Sequence, residues 1–231
     1  MTSPDWAIEY YVEDSGHVPV REFLKGLDQR TYARFLWSLE QLEQRNVQAR
    51  EPLVRHVEGK ILELREESNT NIYRILYFFL HRAADRVAAR VWQKNQEAAT
   101  PRTGVGVQPT GAFPGARRGV NDLMTESYTQ RDGQRLFRED RALALTDPQF
   151  RAIYEEEATQ KELWLQLVEA RKTTGLTQEQ VAGRMGISQA QVARIEKRGY
   201  ANYTLRTLRR YLDALGSHFL LRIAVEDGLS G

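Results

Sequence analysis

Amide and guanidinium side chains recur at short spacing in the sequence LTQEQVAGRMGISQAQVARIEKR, residues 176–198. Such groups hydrogen bond to the edges of adenine and guanine in the major groove of DNA. If residues 189–198 form a helix, its outward side chains are those of Gln189, Gln191, Arg194, Lys197 and Arg198. This pattern predicts base readout by a recognition helix. The alternative is an ordinary helical hairpin whose polar outer face only contacts water.

Two capping signals position these side chains. Thr177 precedes Gln180 by three residues, and Ser188 precedes Gln191 in the same way. Both pairs are typical of a capping box at the start of a helix. Gly186 lies between the predicted helices and can adopt the positive φ of a helix C-terminus. The residues spaced to form one small core between the helices are Val181, Ala182, Met185, Ile187, Val192 and Ile195.

Length and composition limit the classes of protein to consider. The 231 residues leave room for two domains of roughly 100 residues each. The net charge is only +2, so binding to nucleic acid must depend on local patches. Cysteine is absent and the four histidines are scattered, so we expect no disulfide, metal or cofactor. The N-terminus lacks the pattern of a signal peptide and no apolar run could span a membrane, which predicts a cytoplasmic protein.

Hydrophobic periodicity divides the chain into three zones and predicts an α+β protein. Residues 1–81 read as a small α/β unit with an antiparallel sheet, with strands at 6–13, 59–65 and 72–80 and helices at 19–27 and 31–45. Residues 82–123 are rich in Ala, Arg, Gly and Pro and are predicted to be a disordered linker.

Residues 124–231 form the third zone and read as mainly helical. The helices are predicted at 147–156 and 161–173, and the helix-turn-helix domain at about 165–216. A terminal strand is expected at 219–225, which would pair with the first zone or with a second copy of the chain.

The C-terminal zone resembles the Cro/C1-type (XRE) regulators, and among them the HigA-type antitoxins. The segments that carry the resemblance are DPQF at 147–150, LVEARKTTGLTQEQVAGRMGISQAQVARIE at 167–196 and TLRRYLDALG at 207–216. It implies that Gln178 contacts backbone phosphate and braces Gln189, and that Ser188 also contacts phosphate. Ala190 stands where some relatives carry a further polar side chain. The GYANYT loop at 199–204 also departs from the usual Asn-Pro-Ser turn.

The N-terminal zone is similar to the RelE/HigB-type toxins of the phage-derived subfamily, which cut mRNA on the ribosome without a metal. The similarity rests on WAIEYYVEDSGHVPVREFL at 6–24, EGKILELRE at 58–66 and IYRILYFFL at 72–80. It implies that Arg65 and Arg74 face the scissile phosphate and that Tyr77 lines the same site. The alternative to this role is that Arg65 and Arg74 only lie on a sheet face exposed to water.

One expected piece of the toxin pattern is missing. Such toxins continue with a strand bearing Leu-His-Gly-Phe and a Lys-Lys-Thr-x-Lys run, whereas this chain has AARVWQKNQE at 88–97. Any gene encoding Trp92–Glu97, read one base later, gives Gly, two basic residues, Thr or Ile, and further basic residues. The pattern predicts a frameshift near Arg82 and an original antitoxin start at Met124. It would remove the last strand of the toxin and expose residues 72–80 as a sheet edge.

The leading hypothesis is therefore a fused toxin–antitoxin chain that binds DNA sequence-specifically through its antitoxin part, with an inactive toxin remnant. A homodimer on a double-stranded operator is the expected assembly, with a cognate toxin or antitoxin as a further partner. One alternative is a ribosome-dependent endoribonuclease held inactive in cis, for which ribosome and mRNA would be partners. Another is an interaction protein whose toxin-like part only binds an antitoxin.

Overall fold

The computed structural model describes residues 6–13, 15–45, 49, 51–68, 71–81, 87–92, 130–198, 203–216 and 218–222. The chain divides into two compact units, residues 1–155 and 156–231. The predicted α+β class is confirmed, because sheet and helices share the first unit and the second unit is helical in its described part. The predicted division after residue 81 does not match these units, since residues 130–155 belong to the first.

In the described part of the first unit, five strands form a mixed sheet with the order β1-β5-β4-β3-β2. The strands are β1 (Trp6–Tyr10), β2 (Val54–Glu58), β3 (Ile61–Ser68), β4 (Asn71–His81) and β5 (Val87–Trp92). Antiparallel pairing joins β2 to β3, β3 to β4 and β4 to β5. We expected an antiparallel sheet, but the sheet is mixed because β1 and β5 are parallel.

Strand β5 overturns two predictions. Residues 87–92 fall in the segment that was predicted to be a disordered linker, and residues 72–80 were predicted to form an exposed edge. In the structure β4 is an inner strand, with β3 on one side and β5 on the other. The composition argument failed here because a strand between two neighbours gains backbone hydrogen bonds along both edges. The rest of the predicted linker and Met124 lie outside the described residues.

Two helices, α1 (Pro19–Lys25) and α2 (Gln29–Arg45), pack on one face of the sheet. Pro19 suits the first position of α1, because an N–H at that position would have no partner within the helix and proline has none to leave unpaired. The Asp28 carboxylate accepts hydrogen bonds from the Thr31 amide at 3.0 Å and from the Thr31 hydroxyl at 2.6 Å, which starts α2. The hydroxyl of Ser38 donates to Glu66 of β3 at 2.8 Å.

The sequence reasoning missed the helix α3 (Gln130–Thr146) and divided the helix α4 (Pro148–Thr173) into two. We call residues 130–155 the clasp, because they pack on β1, α1 and α2 of the same unit. Phe137 meets Tyr10 of β1 edge to face, with ring centroids 5.6 Å apart. Phe150 meets Tyr32 of α2 at 5.2 Å.

Charged groups tie the clasp to α1 and α2. The guanidinium of Arg21 donates to both oxygens of Asp140, at 2.8 Å from Nε and 2.7 Å from Nη2. Glu40 accepts from Arg141 and from the hydroxyl of Tyr154. Asp140 and Glu40 are both buried, so these carboxylates depend on the clasp pairs for their hydrogen bonds.

Gly133 allows α3 to approach β1 closely. A Cβ atom at this position would lie 2.4 Å from the Tyr10 carbonyl oxygen and 2.8 Å from Cγ of Glu9. We expect Gly133→Ala to lower the free energy of unfolding of the first unit by about 1–3 kcal/mol, because backbone must move to accept the methyl group. Urea unfolding of the full chain checks this. Gly183→Ala is the matched control, since a Cβ there meets nothing within 4 Å and should stabilise by up to about 1 kcal/mol.

The second unit packs the rest of α4 with α5 (Gln178–Met185), α6 (Gln189–Arg198) and α7 (Leu205–Leu215). Its core contains the predicted residues Val181, Ala182, Met185, Val192 and Ile195, with Ile187 packed against it. Leu208, Tyr211, Leu212 and Leu215 add the apolar face of α7. The predicted terminal strand is not found at residues 219–222, where Phe219 and Leu221 instead pack on this core. Residues 223–225 lie outside the described residues.

An ion pair lies within this core. Glu196 is only 3% exposed and accepts from Arg171 Nε at 2.7 Å, from Arg171 Nη2 at 3.0 Å and from the Tyr211 hydroxyl at 2.7 Å. The hydrogen bond to Glu196 raises the pKa of Arg171, and burial raises the pKa of Tyr211. These contacts join α4, α6 and α7 at one carboxylate.

Arg171→Met should lower the free energy of unfolding of the second unit by about 3–5 kcal/mol, because the Glu196 charge would remain buried without its cation. The control is Arg194→Met in the same unit. Arg194 is exposed and its Nε donates only a 3.3 Å hydrogen bond to the Ala190 carbonyl, so its loss should cost less than about 1 kcal/mol. Equal losses for the two variants in calorimetry would contradict a structural role for the ion pair.

Candidate nucleic-acid interface

The two predicted capping boxes position the candidate interface. The Thr177 hydroxyl accepts from the Gln180 amide at 3.2 Å, and Gln180 Oε1 accepts from the Thr177 amide at 2.8 Å. Gly186 then ends α5 in the left-handed conformation, with φ 65° and ψ 35°. This turn fixes the direction in which α6 leaves the core.

A second capping box begins α6 and uses Gln191. The Ser188 hydroxyl accepts from the Gln191 amide at 3.2 Å, while Gln191 Oε1 accepts from the Ser188 amide at 2.9 Å. The side-chain oxygen of Gln191 is therefore held at the helix terminus, and its NH₂ group is left to donate outward. This restricts Gln191 to contacts with an acceptor.

Gln189 and Arg194 are the other two predicted readers, and both are exposed on α6. Gln189 Nε2 donates to Gln178 Oε1 at 3.0 Å. Gln178 Nε2 in turn donates to Glu196 Oε2 at 3.0 Å. The brace between Gln178 and Gln189 that the resemblance implied is present in the structure. Lys197 and Arg198 end α6, and their side chains lie outside the described residues.

Sequence reasoning missed Glu196, Arg171 and Tyr211 as contributors to this interface. The available signal was an acidic residue on the inner face of a basic helix, directly after the core residue Ile195. An isolated carboxylate there is costly unless it is paired, so its position points to a buried partner.

Helix α7 adds exposed cations at Arg206 and Arg209. Arg210 also lies on this helix, but its Nη2 donates to the Met185 carbonyl at 2.8 Å. Arg210 thus closes the last turn of α5, which would otherwise leave that carbonyl without a helical partner.

The candidate phosphate site of the first unit is only partly assembled. Arg65 of β3 and Arg74 of β4 lie opposite each other in the register and so share a sheet face. Tyr77 pairs with Leu62, which places it on the other face, where it is fully buried and meets Phe79 edge to face. Tyr77 therefore does not lie beside Arg65 and Arg74 as implied, because it stands three positions after Arg74 and an odd offset along a strand places a side chain on the opposite face.

Both arginines of this face have carboxylate neighbours. Arg74 Nε lies 3.5 Å from Glu63 Oε2, and Arg65 Nη2 lies 3.8 Å from Glu67 Oε1. Both carboxylates lie on the same face as the arginines, so much of the local positive charge is compensated.

Within the described part of the chain, no group of three or more His, Asp or Glu side chains is arranged to hold a metal ion. None of the helices described there is both long and apolar enough to cross a bilayer.

Comparison with known families matches both parts of the chain. Residues 22–105 match the family described as "Phage derived protein Gp49-like", and residues 167–221 match the family described as "Helix-turn-helix". No solved structure matches the chain significantly.

A curated relative is the protein of Mycobacterium tuberculosis named "Putative antitoxin HigA3". It is 41% identical over 83 residues, which cover 36% of this chain and 74% of the relative. The predicted pairing of a phage-derived toxin-like segment with an XRE-type segment is thus confirmed. The chain belongs to the HigA-type helix-turn-helix family, and it carries a Gp49-like segment in the same polypeptide.

Proposed function

We propose that this chain is an antitoxin-type transcriptional regulator that binds a DNA operator sequence-specifically through α6. The observation that carries the proposal is the exposed row of Gln189, Gln191 and Arg194 on a helix fixed to a buried core. Gln189 and Arg194 match the amide and guanidinium groups that read adenine and guanine. The similarity to an antitoxin supports the same role.

The proposed assembly on DNA is a homodimer. Two recognition helices about 34 Å apart would enter successive major grooves of a palindromic site. Gln178 and Ser188 would contact phosphate beside the readers, and Arg206, Arg209, Lys197 and Arg198 would add cationic contacts. Affinity should therefore fall steeply as salt concentration rises.

The double variant Gln189→Ala with Arg194→Ala should lose about 2–6 kcal/mol of operator binding, since two base contacts are removed. The operator is first selected from random duplex DNA by the full chain, and binding is then measured at fixed salt. The thermal midpoint should hardly change because both side chains are exposed.

The matched control is Gln166→Ala with Arg135→Ala, which removes the same residue types from exposed positions on α4 and α3. It should bind the operator as the unmodified chain does. Unchanged affinity in the Gln189/Arg194 variant would exclude these side chains as readers.

For the first unit we propose a toxin-like remnant without nuclease activity. Phosphate stabilisation in such a site needs uncompensated cations near the scissile bond. Here Arg65 and Arg74 share their sheet face with Glu63 and Glu67, and Tyr77 is buried on the other side. The proposed frameshift would account for the altered sequence after β4.

The clasp favours one alternative, a ribosome-dependent endoribonuclease that is held inactive in cis. Residues 130–155 follow the Gp49-like match and precede the helix-turn-helix match, yet they pack on the Gp49-like unit. Their bonds to Arg21 and Glu40 attach them to α1 and α2 of that unit. Opening the clasp experimentally would distinguish this alternative from an inactive toxin remnant.

Asp140→Arg should open the clasp, because the new cation would face Arg21 and Lys25, whose charged atoms lie 2.7 and 3.9 Å from the present carboxylate. Under the leading proposal, the full-length variant does not cleave ribosome-bound mRNA. Ribosome-dependent cleavage that disappears when Arg65 and Arg74 are also changed to alanine would establish the endoribonuclease instead.

Two further variants control this experiment. Arg21→Asp combined with Asp140→Arg restores the pair with reversed charges and should close the clasp again. Glu139→Arg changes a neighbouring exposed carboxylate and should leave it closed. Resistance of the first unit to limited proteolysis reports whether the clasp is open.

A further inference from the structure

A continuous row of hydrogen bonds connects the core of the second unit to a base-reading side chain. It runs from the Tyr211 hydroxyl to Glu196, from Glu196 to Gln178, and from Gln178 to Gln189. Glu196 and Tyr211 are buried, whereas Gln189 is exposed. The orientation of an exposed amide is therefore linked to a charged group in the core.

The chemistry of the carboxylate fixes the direction of every bond in this row. Ionised Glu196 can only accept, so the atom of Gln178 that lies 3.0 Å away is its NH₂ group. Gln178 then presents its Oε1 to Gln189, and this oxygen can only accept. Gln189 must turn its own NH₂ group inward to donate at 3.0 Å.

This arrangement leaves Gln189 with a defined set of outward groups. One of its two N–H bonds points to Gln178, so one N–H donor and the Oε1 acceptor remain. Adenine offers one donor and one acceptor in the major groove, which matches this set. Guanine offers two acceptors at its edge, and Gln189 has only one donor left for them.

We infer that Glu196 is a positioning residue for DNA recognition, which acts through Gln178 to hold the Gln189 amide in the orientation that selects adenine over guanine. The inference rests on the proposed function, because it concerns how α6 reads an operator. It adds a role for a buried residue that touches no DNA.

The test is a reversal of the hydrogen-bond direction by Gln178→Lys. A lysine at 178 keeps the donor to Glu196 but offers only donors to Gln189, which must then turn its oxygen inward. Gln189 would present two donors, the set that guanine accepts. We expect the adenine-to-guanine preference at the base pair read by Gln189 to fall by roughly 5- to 100-fold, the range that corresponds to one bidentate base contact.

Selection from random duplex DNA with the full chain gives this ratio, and Gln189→Ala identifies the base pair concerned. Gln178→Met is the matched control, since it has similar length and no strong hydrogen bond. It should relax the preference without reversing it. The other base pairs of the operator should keep their preferences in both variants.

Glu196→Gln tests the carboxylate itself, alone and in the Gln178→Met background. A positioning role predicts that Glu196→Gln lowers the adenine preference only when Gln178 is present. A merely structural role predicts the same loss of affinity in both backgrounds with no change in base preference. If Glu196→Gln does not fold, an unchanged adenine preference in the Gln178→Lys variant still overturns the inference.

The outcomes separate the inference from the function on which it rests. If the unmodified chain selects no DNA sequence, the proposed function fails and the inference with it. If the chain selects an operator but Gln178→Lys keeps the full adenine preference, only the positioning role of Glu196 is overturned.

Discussion

The second unit depends on the satisfaction of one buried charge. A carboxylate in a protein core is unfavourable unless cations and donors surround it, and Glu196 is met by Arg171, Tyr211 and Gln178. These three residues come from α4, α7 and α5, so the carboxylate on α6 contacts each of the other helices described in this unit. Apolar packing of Val181, Val192 and Ile195 brings the helices together, but it would tolerate small rotations. The directional hydrogen bonds to Glu196 do not tolerate such rotations, and they therefore define how α6 projects from the core.

The first unit depends on a different constraint, because the edge strand β1 of its sheet must be covered. Strand β1 pairs with β5 on one side, and α3 covers it on the other through Gly133 and Phe137. An uncovered edge strand invites pairing with other chains. The clasp removes that hazard at the β1 edge of the sheet. It also supplies hydrogen-bond partners for Glu40 of α2, while Asp140 of the clasp gains Arg21 of α1 as its partner. The contacts that cover the β1 edge are thus made by the same segment whose hydrogen bonds attach it to α1 and α2.

Local signals in the sequence were enough to predict most of the helix-turn-helix. The Thr177 and Ser188 capping boxes, the Gly186 turn and the core residues depend on contacts between near neighbours in the chain, which spacing reveals. Strand β5 and helix α3 could not be predicted in the same way. The pairing of β5 with β1 joins residues about 80 positions apart, and the contact of Gly133 with Tyr10 spans more than 120. Tyr77 shows a related limit, because the resemblance supplied a role but only the strand register shows which sheet face a residue occupies.

Arg194 of the second unit and Arg74 of the first differ in the charges that surround them, and this difference supports the proposed DNA binding over RNA cleavage. On α6, the Nε of Arg194 donates to the Ala190 carbonyl, its hydrogen-bond partner among the described residues. That bond is long at 3.3 Å, so the guanidinium can exchange it for a base edge at little cost. On the sheet face, Arg74 lies beside the buried carboxylate of Glu63. To bind phosphate there, Arg74 would have to leave Glu63, and the phosphate would approach a buried negative charge. The first surface is therefore prepared to receive an anionic ligand, whereas the second already contains its own anions.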